Sequence, residues 1–404
     1  MKICIITSLY KPYSKGGAEQ VVENIVNGLM GQGNDISVVT TIPLRKKFSV
    51  AGKEKELVIC FYPWNLFWFG DIDKKPVWLR LPWHVIDVFS FYSYFKIRRI
   101  LKEEKPDAVM THNLKGIGYT APLAIRRSGI KHIHTLHDVQ LVEPSGLIFS
   151  PSAEARLIAP LLRAGQIIYT WFNKKLFGSP CIVISPSQWL LDFYVEKGFF
   201  KNSKKIVMKN PIQRFPPLKQ EDKEAGGNNK NFSLNLLYIG QIEAHKGILF
   251  LINAVKKIGN VHLDIVGTGT KLEEMQELAK GSDNIKIHGY IENNLVNKFF
   301  AQSDFLIVPS LCYENAPTVI YESFANGAPV IASDIGGIPE LVKEDYVGYI
   351  FEAGNALDLI RAINKCISEK ERWKILKHNA LNSVIGQGVK DYVEKLTEEI
   401  GNMK

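Results

Sequence analysis

Residues 314–322 read ENAPTVIYE, and two further motifs follow, GAPVI at 327–331 and GGIPE at 336–340. Ahead of them, the apolar run FLIV at 305–308 predicts a buried strand, and residues 318–325 have the apolar spacing of a helix. The first motif is therefore predicted to lie where a strand connects to a helix. In α/β folds, loops at such connections bind ligands.

Pro317 suits the first helical position, where its missing N–H would have no acceptor. The amides beside it then lie free at the positive end of the helix dipole, which suits a phosphate. Glu314 on the loop, and Glu322 about a turn and a half into the helix, can each accept hydrogen bonds from sugar hydroxyls. On spacing alone two such glutamates are ordinary surface residues, and the surrounding motifs favour a ligand site. The neighbouring candidates are Asn315, Ala316, Thr318 and Val319.

These motifs resemble the donor-site signature of the GT-B retaining glycosyltransferases of family 4. The resemblance extends over nearly the whole chain and is most specific in the second half. It implies an α/β fold of two Rossmann-like domains that face each other across a cleft. It also implies that Glu314 contacts the transferred sugar and that Glu322 contacts the nucleotide ribose.

The segment GQIEAHKG at 240–247 resembles the family's G-R-x-x-x-x-K-G loop, in which Arg and Lys neutralise the donor diphosphate. Lys246 matches, whereas Gln241 replaces the Arg. Gln donates a hydrogen bond without charge, so binding of the diphosphate should depend more on Lys246 and the helix end. An ordinary solvated lysine is the alternative interpretation. Further donor-binding candidates are the loop residues Gly240, Gly267 and Tyr290.

Paired glycines, Gly16 and Gly17, separate the predicted first strand from the first helix and allow a close backbone approach to a ligand. A plain tight turn is an equal alternative, and neither a Walker loop nor a G-x-G-x-x-G motif is present. The resemblance assigns this loop to the diphosphate and the acceptor. It also assigns contact with the donor sugar to His137, which falls at the carboxyl end of a predicted strand.

Two patterns would fit a metal, and we expect neither to bind one. His132 and His134 share one face of a strand but lack a carboxylate or Cys partner at suitable spacing, so hydrogen-bonded structure is expected. Asp71 and Asp73 form a D-x-D motif, which GT-A enzymes use to hold a metal, but a surface loop is the better interpretation.

At 404 residues the chain should form two domains, and its apolar runs alternate between strand and helix patterns in both halves. We expect an N-terminal acceptor-binding domain at 1–212, a linker at 213–233 and a nucleotide-sugar domain at 234–404. The last helical stretch, 391–400, should return to the first domain. The predicted strands are 2–7, 35–41, 108–111, 131–136, 181–184, 234–239, 262–266, 285–288 and 305–308.

Five scattered cysteines indicate a reducing cytosol, and the N-terminal apolar run is too short for a signal peptide. The net charge of +9 comes entirely from residues 1–197, which hold 25 Lys and Arg against 16 Asp and Glu. Two aromatic and basic stretches, 61–105 and 157–175, lie in this half. They are either helices of the N-terminal core or an exposed surface that docks on a membrane. RNA stacking is a weaker interpretation, and we expect no nucleic-acid partner.

We therefore expect a retaining glycosyltransferase that needs no metal or other cofactor. It should move a sugar from a nucleoside-diphosphate sugar to an acceptor hydroxyl of a glycan or lipid-linked molecule in cell-envelope synthesis. The expected location is the cytoplasm, with contact at the inner face of the plasma membrane. The alternatives are a non-catalytic GT-B-like scaffold and a metal-dependent GT-A enzyme.

Overall fold

The computed structural model describes residues 1–14, 16–44, 56–148, 159–212 and 232–403. The chain divides into two compact units. The first contains most of the chain up to Pro211 together with Val389–Lys404, and the second contains Ile212–Gly388. Most of the linker expected at 213–233 lies outside the described residues, which resume at Phe232.

The first unit is built on a seven-stranded sheet in the order β3-β2-β1-β4-β5-β6-β7. All of its strand pairs are parallel. Chain order reverses between β1 and β4. The strands are β1 (Lys2–Ile6), β2 (Asp35–Thr41), β3 (Glu56–Phe61), β4 (Ala108–Thr111), β5 (Lys131–Thr135), β6 (Ile182–Ser185) and β7 (Lys204–Val207).

The second unit repeats this plan with a six-stranded parallel sheet in the order β10-β9-β8-β11-β12-β13. Here the order reverses between β8 and β11. The strands are β8 (Leu234–Ile239), β9 (Val261–Val266), β10 (Ile285–Gly289), β11 (Phe305–Val308), β12 (Val330–Ser333) and β13 (Gly348–Phe351). In open parallel sheets, ligands bind outside the carboxyl ends of the strands at such a reversal.

Helices cover both sheets, as buried parallel strands require. Those of the first unit are α1 (Gly17–Gly31), α2 (Val77–Val88), α3 (Phe91–Glu104), α4 (Ala121–Ser128), α5 (Ala159–Phe177) and α6 (Gln188–Glu196). Those that follow are α7 (Ile248–Val255), α8 (Leu272–Ala279), α9 (Asn293–Gln302), α10 (Thr318–Ala325), α11 (Ile338–Leu341), α12 (Ala356–Ser368), α13 (Trp373–Ser383) and α14 (Val389–Gly401). No helix in the described ranges is long and apolar enough to cross a bilayer.

Helix α14 returns to the first unit and packs on α1. Tyr392, Val393 and Leu396 are buried in the same apolar cluster as the α1 residues Val22 and Ile25. Gly28 permits this close packing, because a Cβ there would lie 2.6 Å from Val389 Cγ1 and 2.8 Å from Val393 Cγ1. Strands from the first half and a helix from the chain's last segment therefore share one core.

Candidate functional site

The carboxyl ends of β8 and β11 bring two loops together in the second unit. The Leu311 amide, after β11, donates to the His245 carbonyl, after β8, over 2.9 Å. Gly247 has a φ of +73°, and a Cβ there would lie 1.9 Å from the Pro309 carbonyl oxygen. Only glycine allows this approach, so the loop at 240–247 is fixed against the loop that carries Glu314.

Lys246 and Glu314 form an ion pair where the two loops meet. Lys246 Nζ donates to Glu314 Oε1 over 2.5 Å, and Ser310 Oγ donates to the same oxygen over 3.0 Å. Their side chains are 27% and 15% exposed. Burial acts to raise the pKa of Glu314, but the charge and hydrogen bond of Lys246 outweigh it and hold that pKa below its ordinary value. The site therefore presents a fixed carboxylate beside a fixed cation.

The GGIPE motif holds the backbone of Glu314. The Gly337 amide donates to the Glu314 carbonyl over 2.8 Å. Gly336 has a φ of +65°, and a Cβ there would lie 2.2 Å from the same carbonyl oxygen. These two glycines thus fix the position of the Glu314 backbone.

Helix α10 has the predicted bounds, but Pro317 precedes its first residue and is not itself the first helical position. Pro317 has φ −57° and ψ 120° and precedes the helix, whose first residue is Thr318. The amides of Thr318 and Val319 have no carbonyl one turn earlier within the helix, as at every helix start. Ala316 is buried, whereas Asn315 is partly exposed. A helix start with such first-turn amides therefore lies at this loop.

Glu322 lies in the second turn of α10 in surroundings that differ from those of Glu314. It is partly buried, and no described residue gives its carboxylate a hydrogen bond or an ion pair. Burial raises its pKa from an ordinary 4.5 to about 7. The negative charge of Glu314 is therefore balanced by Lys246, whereas the Glu322 carboxylate has no partner among the described residues.

The remaining donor-binding candidates line the neighbouring strand ends. A Cβ on Gly267, whose φ is +146°, would lie 1.8 Å from the Gly240 carbonyl oxygen, so these two loops are also in backbone contact. Tyr238 Oη donates to the Gln241 carbonyl over 2.7 Å, which fixes the backbone of Gln241 and leaves its side chain exposed. Tyr290 is 71% exposed after β10.

In the first unit, the loop after β1 leads directly into α1. Gly16 precedes the helix in an extended conformation, and its amide donates to Glu19 Oε2 over 2.8 Å. Gly17 is the first residue of α1. The glycine pair thus forms a helix start at the β1 and β4 reversal, the counterpart of the 240–247 loop and the α7 start in the second unit.

His137 follows β5 and is bonded to a residue that the sequence analysis missed. His112 Nδ1 and His137 Nε2 lie 2.9 Å apart and form one hydrogen bond, in which one ring nitrogen donates and the other accepts. Burial lowers the pKa of His137 to about 4 and that of His112 well below its ordinary value. Both rings are therefore neutral near pH 7. The hydrogen bond to His112 occupies Nε2 of His137. The position of His112 directly after β4 was the available signal.

His132 and His134, expected to be hydrogen-bonded structure, both contact one threonine. Thr111 Oγ1 lies 2.8 Å from His132 Nε2 and 2.8 Å from His134 Nδ1, and both rings are buried. Asp71, expected on a surface loop, lies in a short 3-10 helix and pairs with Lys74 over 3.1 Å. In the described ranges no group of three His, Cys, Asp or Glu side chains is placed to hold a metal.

Comparisons with known proteins agree with this geometry. The family model "Glycosyl transferases group 1" matches residues 219–383, and "Glycosyltransferase Family 4" matches residues 15–213. An "Uncharacterized 42.6 kDa protein in cps region" of Klebsiella pneumoniae is 25% identical over 352 residues, which is 85% of this chain and 88% of that one.

Two further similarities name an activity or a ligand for the other protein. The UDP-Gal:alpha-D-GlcNAc-diphosphoundecaprenol alpha-1,3-galactosyltransferase of Escherichia coli is 25% identical over 330 residues, 77% of this chain and 79% of its own. The structure of Anabaena Alr3699/HepE in complex with UDP superposes with a TM-score of 0.73 at 18% identity, covering 99% of this chain and 100% of its own. The structural match spans both units and shows the two-domain GT-B fold. Since the two family models together span nearly the whole chain, the chain belongs to the group 1 glycosyltransferases and is a glycosyl-transferring enzyme.

Proposed function

We propose that this enzyme transfers a sugar from a nucleoside-diphosphate sugar to an acceptor hydroxyl, with retention at the anomeric carbon and without a metal. The observation that carries the proposal is the Lys246 and Glu314 pair, fixed beside the open start of α10 at the β8 and β11 reversal. A cation and a helix end suit the diphosphate, and a fixed carboxylate suits the hydroxyls of a sugar.

The charge that develops on the leaving diphosphate is the main chemical demand of this reaction. Lys246 and the first-turn amides of Thr318 and Val319 would stabilise that charge, assisted by the Gly16 and Gly17 loop. Gln241 is exposed and uncharged, so it adds a hydrogen bond at most. The cationic contribution in the second unit then depends on Lys246.

The remaining site residues orient the donor. Glu314 and His137 would contact the transferred sugar, and Glu322 would accept hydrogen bonds from the ribose hydroxyls. The backbones of Gly240 and Gly267 and the residue Tyr290 would contact the nucleotide. These roles combine the described geometry with the family resemblance.

We propose a front-face displacement. The acceptor oxygen bonds to the anomeric carbon on the face from which the diphosphate departs, and a departing phosphate oxygen takes the acceptor's proton. No protein nucleophile is used, so retention does not require a covalent sugar intermediate. Lys246 keeps its proton throughout and acts as a fixed charge.

The acceptor is proposed to be a polysaccharide, a glycolipid or another cell-envelope glycan. The relative from a cps region and the relative that acts on a diphosphoundecaprenol-linked sugar support this class. We also propose that the enzyme works in the cytoplasm, in peripheral contact with the inner face of the plasma membrane, where a lipid-linked acceptor would be reached.

A thermal-shift panel of UDP-, GDP-, ADP- and dTDP-sugars in EDTA tests the proposal. The variants are Lys246→Ala and Glu322→Ala, and the matched control is Lys257→Ala, an exposed lysine of the same unit. We expect one nucleotide class to stabilise the wild type and the control, and this stabilisation to be lost in both site variants. Stabilisation that appears only with added Mn²⁺ would contradict metal independence, and stabilisation retained in both variants would contradict the site.

A further inference from the structure

The two aromatic and basic stretches carry large exposed side chains in the first unit. Its members include Trp64, Trp78, Leu81, Phe91, Phe95 and Trp171, which are 70%, 73%, 72%, 71%, 66% and 51% exposed. Every exposed tryptophan and phenylalanine in the described part of the chain belongs to these six. We refer to these six residues as the aromatic surface.

The core does not account for these side chains, because the same helices bury a different side. In α2 Trp83 is buried, and its Nε1 donates to the Phe67 carbonyl over 2.8 Å. In α3 and α5 the buried apolar residues include Ile97 and Phe177. Each helix is thus apolar on its buried and on its exposed side. A monomeric soluble protein rarely exposes so many large apolar groups together unless they bind something.

Ring contacts connect the segments that carry the aromatic surface. The ring of Trp64 stacks on that of Tyr92 in α3, with centroids 5.2 Å apart. Phe89, at the end of α2, lies 4.8 Å from Phe172 of α5, and the ring of Phe172 lies 4.9 Å from that of Trp171. These contacts join the loop of Trp64 to α3, and the residue after α2 to the exposed Trp171 of α5.

Basic residues outnumber acidic ones in α3 and α5, which carry three of these groups. Helix α5 contains Arg163, Lys174 and Lys175 and no acidic residue. Lys175 Nζ lies 5.9 Å from the ring centroid of Trp171. In α3, Arg99 pairs with Glu103, whereas Lys96 lies on the same helix beside the exposed Phe95. Aromatic rings among lysines and arginines have the composition of a protein surface that enters lipid headgroups.

We propose that the aromatic surface docks on a phospholipid bilayer that carries anionic headgroups. The rings and Leu81 would enter the headgroup layer, and the surrounding lysines and arginines would contact the lipid phosphates. A second copy of the chain fits less well, since a two-fold contact would bring the same basic groups face to face. The inference extends the proposed function by naming the surface and the lipid class through which a lipid-linked acceptor would be reached.

Co-flotation of the full chain with vesicles tests this proposal. Vesicles of phosphatidylcholine alone are compared with vesicles of phosphatidylcholine and phosphatidylglycerol, at low and at high salt. We expect binding to the anionic vesicles at low salt, and weaker binding at high salt and to the neutral vesicles. The triple variant Trp78→Gln, Leu81→Gln, Phe95→Gln should lower the partition coefficient between vesicles and solution by about tenfold or more. The reason is that three large apolar side chains no longer enter the bilayer.

The matched control is the triple variant Leu357→Gln, Ile375→Gln, Ile385→Gln, which changes equally exposed apolar residues of the second unit. It should float like the wild type. Thermal unfolding checks that both triple variants are folded, and the donor thermal shift should be unchanged in each. Loss of flotation with an intact donor response separates docking from donor binding.

Several results would overturn the proposal. They are no flotation of the wild type with anionic vesicles, equal flotation with neutral vesicles, or full flotation of the first triple variant. Light scattering that shows a dimer which the first triple variant dissociates, with no flotation, would identify the surface as a contact between copies. If flotation behaves as expected but no donor shifts the wild type, the docking surface stands and the donor assignment fails.

Discussion

Replacing Glu322 with Gln should stabilise the unbound protein and weaken donor binding. The carboxylate is partly buried and has no partner among the described residues, so its pKa is raised from 4.5 to about 7. The unfolded chain loses this proton as the pH rises through 4.5, whereas the folded chain keeps it until about 7. Ionisation therefore costs folding stability increasingly across that window, and the cost is complete above it.

The size of the effect follows from the two pKa values. Each pKa unit is worth roughly 1.4 kcal/mol, so the interval between 4.5 and about 7 corresponds to about 3 kcal/mol. Gln keeps the shape and cannot ionise. The stability gap between Glu322→Gln and the wild type should thus be below ~1 kcal/mol at about pH 5 and grow to about 3 kcal/mol at about pH 8.

Donor binding should respond in the opposite direction. A carboxylate that accepts hydrogen bonds from ribose hydroxyls contributes roughly 1.5–3 kcal/mol, so the variant should bind the donor about ten- to a hundredfold more weakly near pH 8. Calorimetric unfolding at both pH values and isothermal titration with the donor measure the two effects. Glu273→Gln, an exposed glutamate of α8, is the control and should change neither.

Two results would refute this reasoning. A stability gap that is the same at both pH values would show that burial does not raise the pKa of Glu322. A variant that gains stability at high pH and still binds the donor as tightly as the wild type would show that Glu322 does not contact the donor.

Three further changes test other parts of the site. Gly336→Ala should cost more than ~2 kcal/mol of unfolding free energy and remove the donor thermal shift, because its Cβ would meet backbone. The control Gly281→Ala has a similar φ of +72° but open space around it, and should cost about 1 kcal/mol in the same denaturation assay. Equal losses in the two variants would contradict the steric argument. His112→Leu should lower kcat about tenfold with little change in donor KM. His112→Asn should have a higher kcat than the Leu variant, because it keeps a hydrogen-bonding atom near His137. Unchanged steady-state kinetics in the Leu variant would exclude a positioning role. Gln241→Arg should tighten donor binding about tenfold at low salt by adding a charge, and an unchanged Kd in titration calorimetry would remove this loop from the diphosphate.

Local structure in the site was predictable because it follows from nearby residues. The strand at Phe305–Val308 and the helix at Thr318–Ala325 have the predicted bounds, since an apolar run and a helical spacing mark them directly. Pro317 was misplaced by one residue, because a proline is compatible both with the first helical position and with the position before it.

Contacts between distant segments could not be predicted in the same way. Lys246 and Glu314 were each identified from a motif, but their ion pair depends on β8 and β11 being neighbours in the sheet. The roles of Ser310 and of Gly336 likewise depend on which loops meet. His112 belongs to no motif and gains its importance only because β4 lies beside β5.

The aromatic stretches could not be assigned from the sequence because both alternatives apply. Trp83 packs inward and Trp78 faces outward on the same helix. A helix that is apolar on both sides has no contrast from which periodicity could identify the buried side.

The return of α14 to the first unit separates the order of synthesis from the order in which the cores are completed. The apolar cluster that contains Val22 and Ile25 also requires Tyr392 and Leu396, which are translated only after the whole of the second unit. The second unit can assemble its sheet as it leaves the ribosome, because its strands are contiguous in the chain. The first unit begins earlier and closes last, so during translation the surface of α1 around Gly28 stays uncovered until α14 arrives.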